Sequence, residues 1–188
     1  MAIVKRNIIV EGLSGKLGDQ VVFSQRGGKT IVSVKAVQPE GVPTEGQVQQ
    51  RTKFGQANRY AKQAMKNAPL KEAYEQQAKK GQNGFNVAMA DYLNAPEIIS
   101  LNGEAYSGAK DSPISITVTD DHMVAEVEVI LYSAKGSVLE QGPAELDDNG
   151  VDWVYTTQKT NGELKGSKLV VRASDLPGNL TEREFVLG

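Results

Sequence analysis

Apolar positions recur with two different periods along this chain, and the change falls near Pro96. Between Thr44 and Leu93 they return every three or four residues, as in helices that bury one face. Beyond Pro96 they alternate with polar residues, as in strands that turn one face to a core and the other to water.

The helical stretch divides in three. Thr44-Glu-Gly-Gln47 has the form of a capping box and predicts a helix reaching about Asn67. Phe54, Ala57, Ala61, Ala64, Met65 and Ala68 make its apolar stripe, mostly small residues that suit close packing. A second helix is expected from near Pro69, with Leu70, Ala73, Tyr74 and Ala78 buried and Gly81 past its end. A third fits Asn83–Leu93, where Phe85, Ala88, Met89, Tyr92 and Leu93 repeat at helical spacing. Ahead of the helices, Gln20–Gln25 and Thr30–Lys35 flank Arg26-Gly-Gly-Lys29, a hairpin signal, and Gln38–Pro43 reads as a connector.

Beyond Pro96 the expected strands are Glu97–Leu101, Pro113–Thr119, Val124–Ser133, Ser137–Gln141, Val151–Thr157, Ser167–Ala173 and Thr181–Leu187. Ile114, Ile116 and Val118 alternate with Ser115, Thr117 and Thr119; Val127, Val129 and Leu131 alternate with Glu126, Glu128 and Ile130. The expected fold is therefore an α+β segment over residues 1–95, a β-hairpin plus about three helices, followed over residues 96–188 by an all-β immunoglobulin-like sandwich of about seven strands.

Charge sharpens the division. Cut between Ala95 and Pro96, the chain carries 14 Lys/Arg against 7 Asp/Glu before the cut (+7) and 7 against 16 after it (−9), which together give the net −2. Opposite halves point to different partners or to attraction between parts, within one chain or between copies. The absence of cysteine excludes disulfides, thiolate metal sites and cysteine nucleophiles. The opening MAIVKRNIIV carries Lys5 and Arg6 but no secretory apolar run, and no window approaches the roughly twenty apolar residues of a membrane span. Cytoplasmic synthesis without a signal peptide is expected, with release inside an extracellular particle as the other route.

Candidate chemistry is sparse. Glu11-Gly-Leu-Ser-Gly-Lys-Leu-Gly18 suggests a phosphate loop, but Leu17 stands where a hydroxyl is required and Val10 where the first glycine is required. It reads instead as bends leading into the hairpin. His122 is the single histidine, in the acidic run Thr119-Asp-Asp-His-Met123; Asp120 and Asp121 could bind a hard cation, but the run lacks the pattern of an EF-type loop and reads as a turn. Asp147/Asp148 and Glu126/Glu128 lie in a turn and on a polar strand face, where no apolar pocket raises a pKa for acid catalysis. Trp153 and Tyr155 share one face of a strand and offer either an aromatic platform for sugar or peptide or a part of the core. Arg51, Arg59, Lys62 and Lys66 fall within about 80° of arc on the first helix. The acidic second half argues against nucleic acid there and for docking on protein. No catalytic residue, metal or cofactor is assigned.

Ile116-Thr-Val-Thr-Asp-Asp121, Trp153-Val-Tyr155 and Val171-Arg-Ala-Ser-Asp-Leu-Pro-Gly-Asn-Leu-Thr181 resemble bacterial immunoglobulin-like domains. The first half, with its Gly-Lys-x-Gly hairpin and Thr44-Glu-Gly-Gln-Val-Gln-Gln-Arg-Thr-Lys-Phe54, is similar to uncharacterised two-part bacterial proteins and to small proteins of phage-tail-like particles. The resemblance implies a non-catalytic structural or interaction protein, cargo or accessory of a contractile injection particle, with particle tube or shell proteins as partners and self-association as a further option. The alternatives are a carbohydrate- or peptide-binding module and a toxic effector without a recognisable active site.

Overall fold

The computed structural model describes residues 2–4, 7–37, 40–103 and 106–187; Lys5, Arg6, Gln38 and Pro39 of the stretches discussed above lie outside them. Four strands come first: β1 (Ala2–Ile3), β2 (Gly15–Leu17), β3 (Val21–Arg26) and β4 (Lys29–Val34), in the antiparallel order β1-β4-β3-β2. Gly27 and Gly28, at φ 54° and 73°, form the two-residue turn of the β3–β4 hairpin, a conformation that glycine adopts without strain. Thr30 Oγ1 accepts from Gly12 N at 2.9 Å and from Gln25 Nε2 at 2.8 Å, which folds the glycine-rich stretch back on the hairpin. Its Gly15-Lys16-Leu17 is strand, not phosphate loop.

Three helices follow: α1 (Glu45–Ala64), α2 (Ala68–Gln77) and α3 (Gly84–Leu93). The capping box forms, with Gln47 N donating to Thr44 Oγ1 and Thr44 N to Gln47 Oε1. α1 stops at Ala64, short of the expected Asn67, because the Asn67 side chain accepts from Leu70 N and opens α2, with Pro69 in the first turn where an N–H has no helical partner. Ala57, Ala61, Ala64, Tyr74, Ala88 and Met89 form a small core. Two members of the predicted stripe fall outside it. Ala68 belongs to α2 and is exposed, and Phe54 is 53% exposed. At 1.5 Å per residue α1 is about 30 Å long and its partners about 15 Å. Its first half, exposed from Glu45 to Phe54, therefore overhangs them.

The β-rich part holds β5 (Glu97–Asn102), β6 (Pro113–Thr119), β7 (Val124–Tyr132), β8 (Val138–Pro143), β9 (Glu145–Leu146), β10 (Asp152–Thr156), β11 (Lys168–Asp175) and β12 (Leu180–Val186). They form two antiparallel sheets, ordered β5-β6-β10-β9 and β12-β11-β7-β8. Both contribute to one core: Ile98, Ile114, Ile116, Val118 and Tyr155 from the first, Val127, Val129, Leu131, Leu169, Val171 and Ala173 from the second. Ile130, which alternation assigns to water, is 3% exposed; it pairs with Val170 on the outer face, where Arg172 bridges Glu128 and Glu182. Stems of long charged residues can shield apolar surface of this kind. Neither core includes a residue from 2–54.

Candidate functional site

A chain of hydrogen bonds takes one residue from each helix. Tyr60 of α1 and Tyr74 of α2 share a bond of 2.7 Å between hydroxyls, and Tyr74 donates to Asp91 Oδ2 of α3 at 2.5 Å. Tyr74 is fully buried and Asp91 is 1% exposed. Asp91 follows Ala88 by three residues, so the helical period carries it onto the buried face.

The β-rich part meets this chain through two loops. In the β6–β7 turn, Asp120 Oδ2 accepts from His122 N at 3.4 Å and Met123 N at 3.0 Å, the local turn that the sequence suggests. The turn also lays the His122 ring on Tyr74, centroids 4.3 Å apart and 28° from parallel. His122 Nδ1 lies 2.5 Å from Gln77 Oε1; because that oxygen only accepts, Nδ1 carries the hydrogen. After β11, Asn179 N donates to Asp175 Oδ1 at 2.6 Å, and Asn179 Nδ2 sits among the carbonyls of Asp91, Tyr92 and Asn94 at 3.0–3.2 Å. It thus caps the end of α3. Asn94 Nδ2 donates to Asp121 Oδ2 at 2.5 Å, and Lys53 Nζ to Leu93 O at 2.9 Å.

The result is an acidic junction. One carboxylate oxygen each from Asp91, Asp120 and Asp175 lies within 4.8 Å of the others. Asp91 Oδ1 and Asp120 Oδ1 have no hydrogen-bond partner among the described residues. Among the described residues, the ion pairs lie within one half of the chain or the other, and none reaches these aspartates. The halves meet acid against acid, not basic half against acidic half. Burial pushes Asp91 up to about 7; the charges of Asp120, Asp175 and Asp121 add to the rise and the Tyr74 hydroxyl opposes it. Burial also raises Tyr60 and Tyr74, and holds His122 below its ordinary value against the pull of Asp120. A carboxyl with a pKa near neutrality suits acid catalysis in a cleft. Asp91 is closed to solvent, so the arrangement suits a shared proton or a bound cation better than a substrate.

The candidates read from sequence lie elsewhere. Arg51, Arg59 and Lys62 are exposed on α1, whereas Lys66, also exposed, lies in the turn beyond its end at Ala64; Arg51 and Arg59 line a shallow groove with Val48, Thr52, Gly55 and Gln56. Trp153 and Tyr155 pair with Ile116 and Ile114, which are fully buried, so both rings face inward. Tyr155 is 2% exposed and its hydroxyl is pushed up to about 12 by burial. The aromatic platform is corrected accordingly: an open face shared by the two rings does not exist, and Trp153 alone borders a surface cleft, with Met123, Leu146 and Val151. The sequence singled out Asp120 and Asp121 as a turn but passed over Asp91. An acid on an apolar helix stripe was the signal available.

No family model matches the chain, and no curated protein matches it. A crystal structure of an engineered protein from a structural genomics consortium aligns with 57% of this chain and 29% of its own length, at 14% identity and a TM-score of 0.31. No helix among the described residues is long and apolar enough to cross a membrane.

Proposed function

We propose that the protein is a non-catalytic interaction protein whose first 54 residues dock on a larger protein assembly. The observation that carries this reading is apolar surface out of place. Ile3, Ile8, Ile9, Leu13, Leu17, Val34, Val37, Val42, Val48 and Phe54 are exposed, against seven large hydrophobics in the remaining two thirds of the chain. Apolar surface gathered in one region marks a contact site more often than chance exposure does. The basic groove residues Arg51 and Arg59 adjoin it and favour an acidic rim on the partner.

The β-rich part we read as an immunoglobulin-like sandwich. With strands lettered from β5, the order β5-β6-β10-β9 corresponds to A-B-E-D and β12-β11-β7 to G-F-C, with β8 added at the edge. Such a body serves as a spacer or contact surface as readily as a ligand site. The resemblance drawn from the sequence supports one choice of assembly, a phage-tail-like contractile injection particle. Mass spectrometry of purified particles should find the protein, and Leu17→Asp with Val34→Asp should deplete it from them. Its absence from particles while the free protein is abundant would overturn the assignment. Sugar or peptide binding at Trp153 remains the second reading, and it requires that ligand protect Trp153 fluorescence from quenching.

A further inference from the structure

We propose that Asp91, Asp120 and Asp175 together bind a hard divalent cation, calcium by preference, which fastens the three helices to the β-rich part. This goes beyond the docking reading and does not depend on what residues 2–54 contact. The first support is spacing. Calcium holds oxygens at about 2.3–2.6 Å, so ligands on opposite sides of it stand up to about 5 Å apart, whereas magnesium brings them within about 4.2 Å. Three oxygens within 4.8 Å of one another are close enough to converge on one such cation.

The second support does not come from counting carboxylates. Asp91 is 1% exposed and its Oδ1 has no partner, while Tyr74 engages only Oδ2. An unpaired buried oxygen of this kind is costly, and more so when charged, unless a ligand meets it. Asp120 Oδ1 is in the same position from the opposite side of the junction. The surroundings agree in sign, because Asp121 adds a fourth carboxylate whose charge reaches Asp91. Every donor in the cluster is oxygen. His122 is not part of the cluster, which disfavours zinc and other nitrogen-seeking metals. Asp120 is only half-buried and Asp121 is exposed, so a cation can enter from the turn.

A proton shared among the three aspartates would also quiet their repulsion, and calorimetry separates the two. The full chain, stripped by chelator, is titrated with calcium chloride near neutral pH, with thermal unfolding followed by far-ultraviolet circular dichroism. One calcium per chain is expected, with a raised helical transition and magnesium weaker by about tenfold or more. D120N keeps the oxygen that accepts from Met123 N, so the fold should persist while calcium affinity falls about tenfold or more; D175N should lower affinity likewise, though it also loses the bond that Asn179 Nδ2 donates to Asp175 Oδ2 at 2.7 Å. D148N, in an exposed turn, should change nothing. Absence of heat and of any shift up to about 10 mM calcium overturns the proposal. So does magnesium binding as tightly as calcium, undiminished calcium binding in both variants, or stability that follows pH and ignores calcium. Should a variant fail to fold, the wild-type titration decides alone.

Discussion

The two cores of this molecule are closed by different means. The β-rich core fills itself with branched side chains from two sheets, and the unpaired polar atoms it buries, such as Tyr155 Oη, are incidental to its packing. The helical core is mostly alanine, and its centre is a tyrosine pair ending on a carboxylate. A few alanines remove little apolar area from water, at roughly 25 cal/mol per Å2. The first core is therefore held by burial and the second by polar connections, the last of which lead out of the helices and into the junction.

The largest expected effect is in the β-rich core. Ile116→Ala or Leu131→Ala deletes side chains that are 0–1% exposed and should cost about 2–5 kcal/mol. Denaturant unfolding followed by Trp153, which packs on that core, measures it. Tyr74→Phe is the matching cut in the helical core. It strips Asp91 Oδ2 and the Tyr60 hydroxyl of their shared partner and should cost about 1–3 kcal/mol. The helical transition should move while the Trp153 transition stays within about 0.5 kcal/mol. If both move together, the two cores unfold as one unit and the contrast between them fails.

Proton linkage gives a smaller effect with a definite sign. Asp91 is raised from 3.8 to about 7, so the folded state binds its proton more tightly than the unfolded chain does. That contribution is complete below the unfolded value and is lost as pH rises through about 7. His122, lowered by burial, acts oppositely, favouring the folded state above its ordinary pKa and losing that as pH falls. Comparison with Asp91→Asn isolates the aspartate. In chelator-treated buffer, wild type should lose helical stability relative to this variant between about pH 5.5 and pH 8, and calcium should reverse the order at the upper end. A constant difference across that range would mean that Asp91 is not the titrating group.

How far the sequence could be read follows the same contrast. Residues whose role is set by their neighbours in sequence were legible: the Thr44–Gln47 box, the Gly27-Gly28 turn, the extent of the third helix, and the alternation of Ile114, Ile116 and Val118. β1, β2 and β9 were not, because two- and three-residue strands carry no period. Phe54 shows the limit of a helical stripe, which indicates a buried face but not how far along the helix a partner reaches. Ile130 shows the same for a strand, since the outer face of a sheet can also be covered. The junction was least legible. Asp91, Asp120 and Asp175 are separated by 29 to 84 positions and converge only because α3, the β6–β7 turn and the end of β11 share one corner.

The smallest effect tests the overhanging half of α1, the one helical segment that neither core supports. Thr44 accepts from Gln47 N at 3.3 Å and Gln47 Oε1 accepts from Thr44 N at 3.1 Å, and both residues are exposed. Thr44→Ala removes the first bond and should cost about 1 kcal/mol. Because residues 45–54 are exposed, the loss should appear as faster amide exchange there, with both global transitions unchanged. Slow exchange that survives the substitution would show the segment held by something other than its cap. The exposed groove beside Arg51 and Arg59 would then have a partner already in place, such as a second copy of the chain, and exchange measured at falling protein concentration would reveal it.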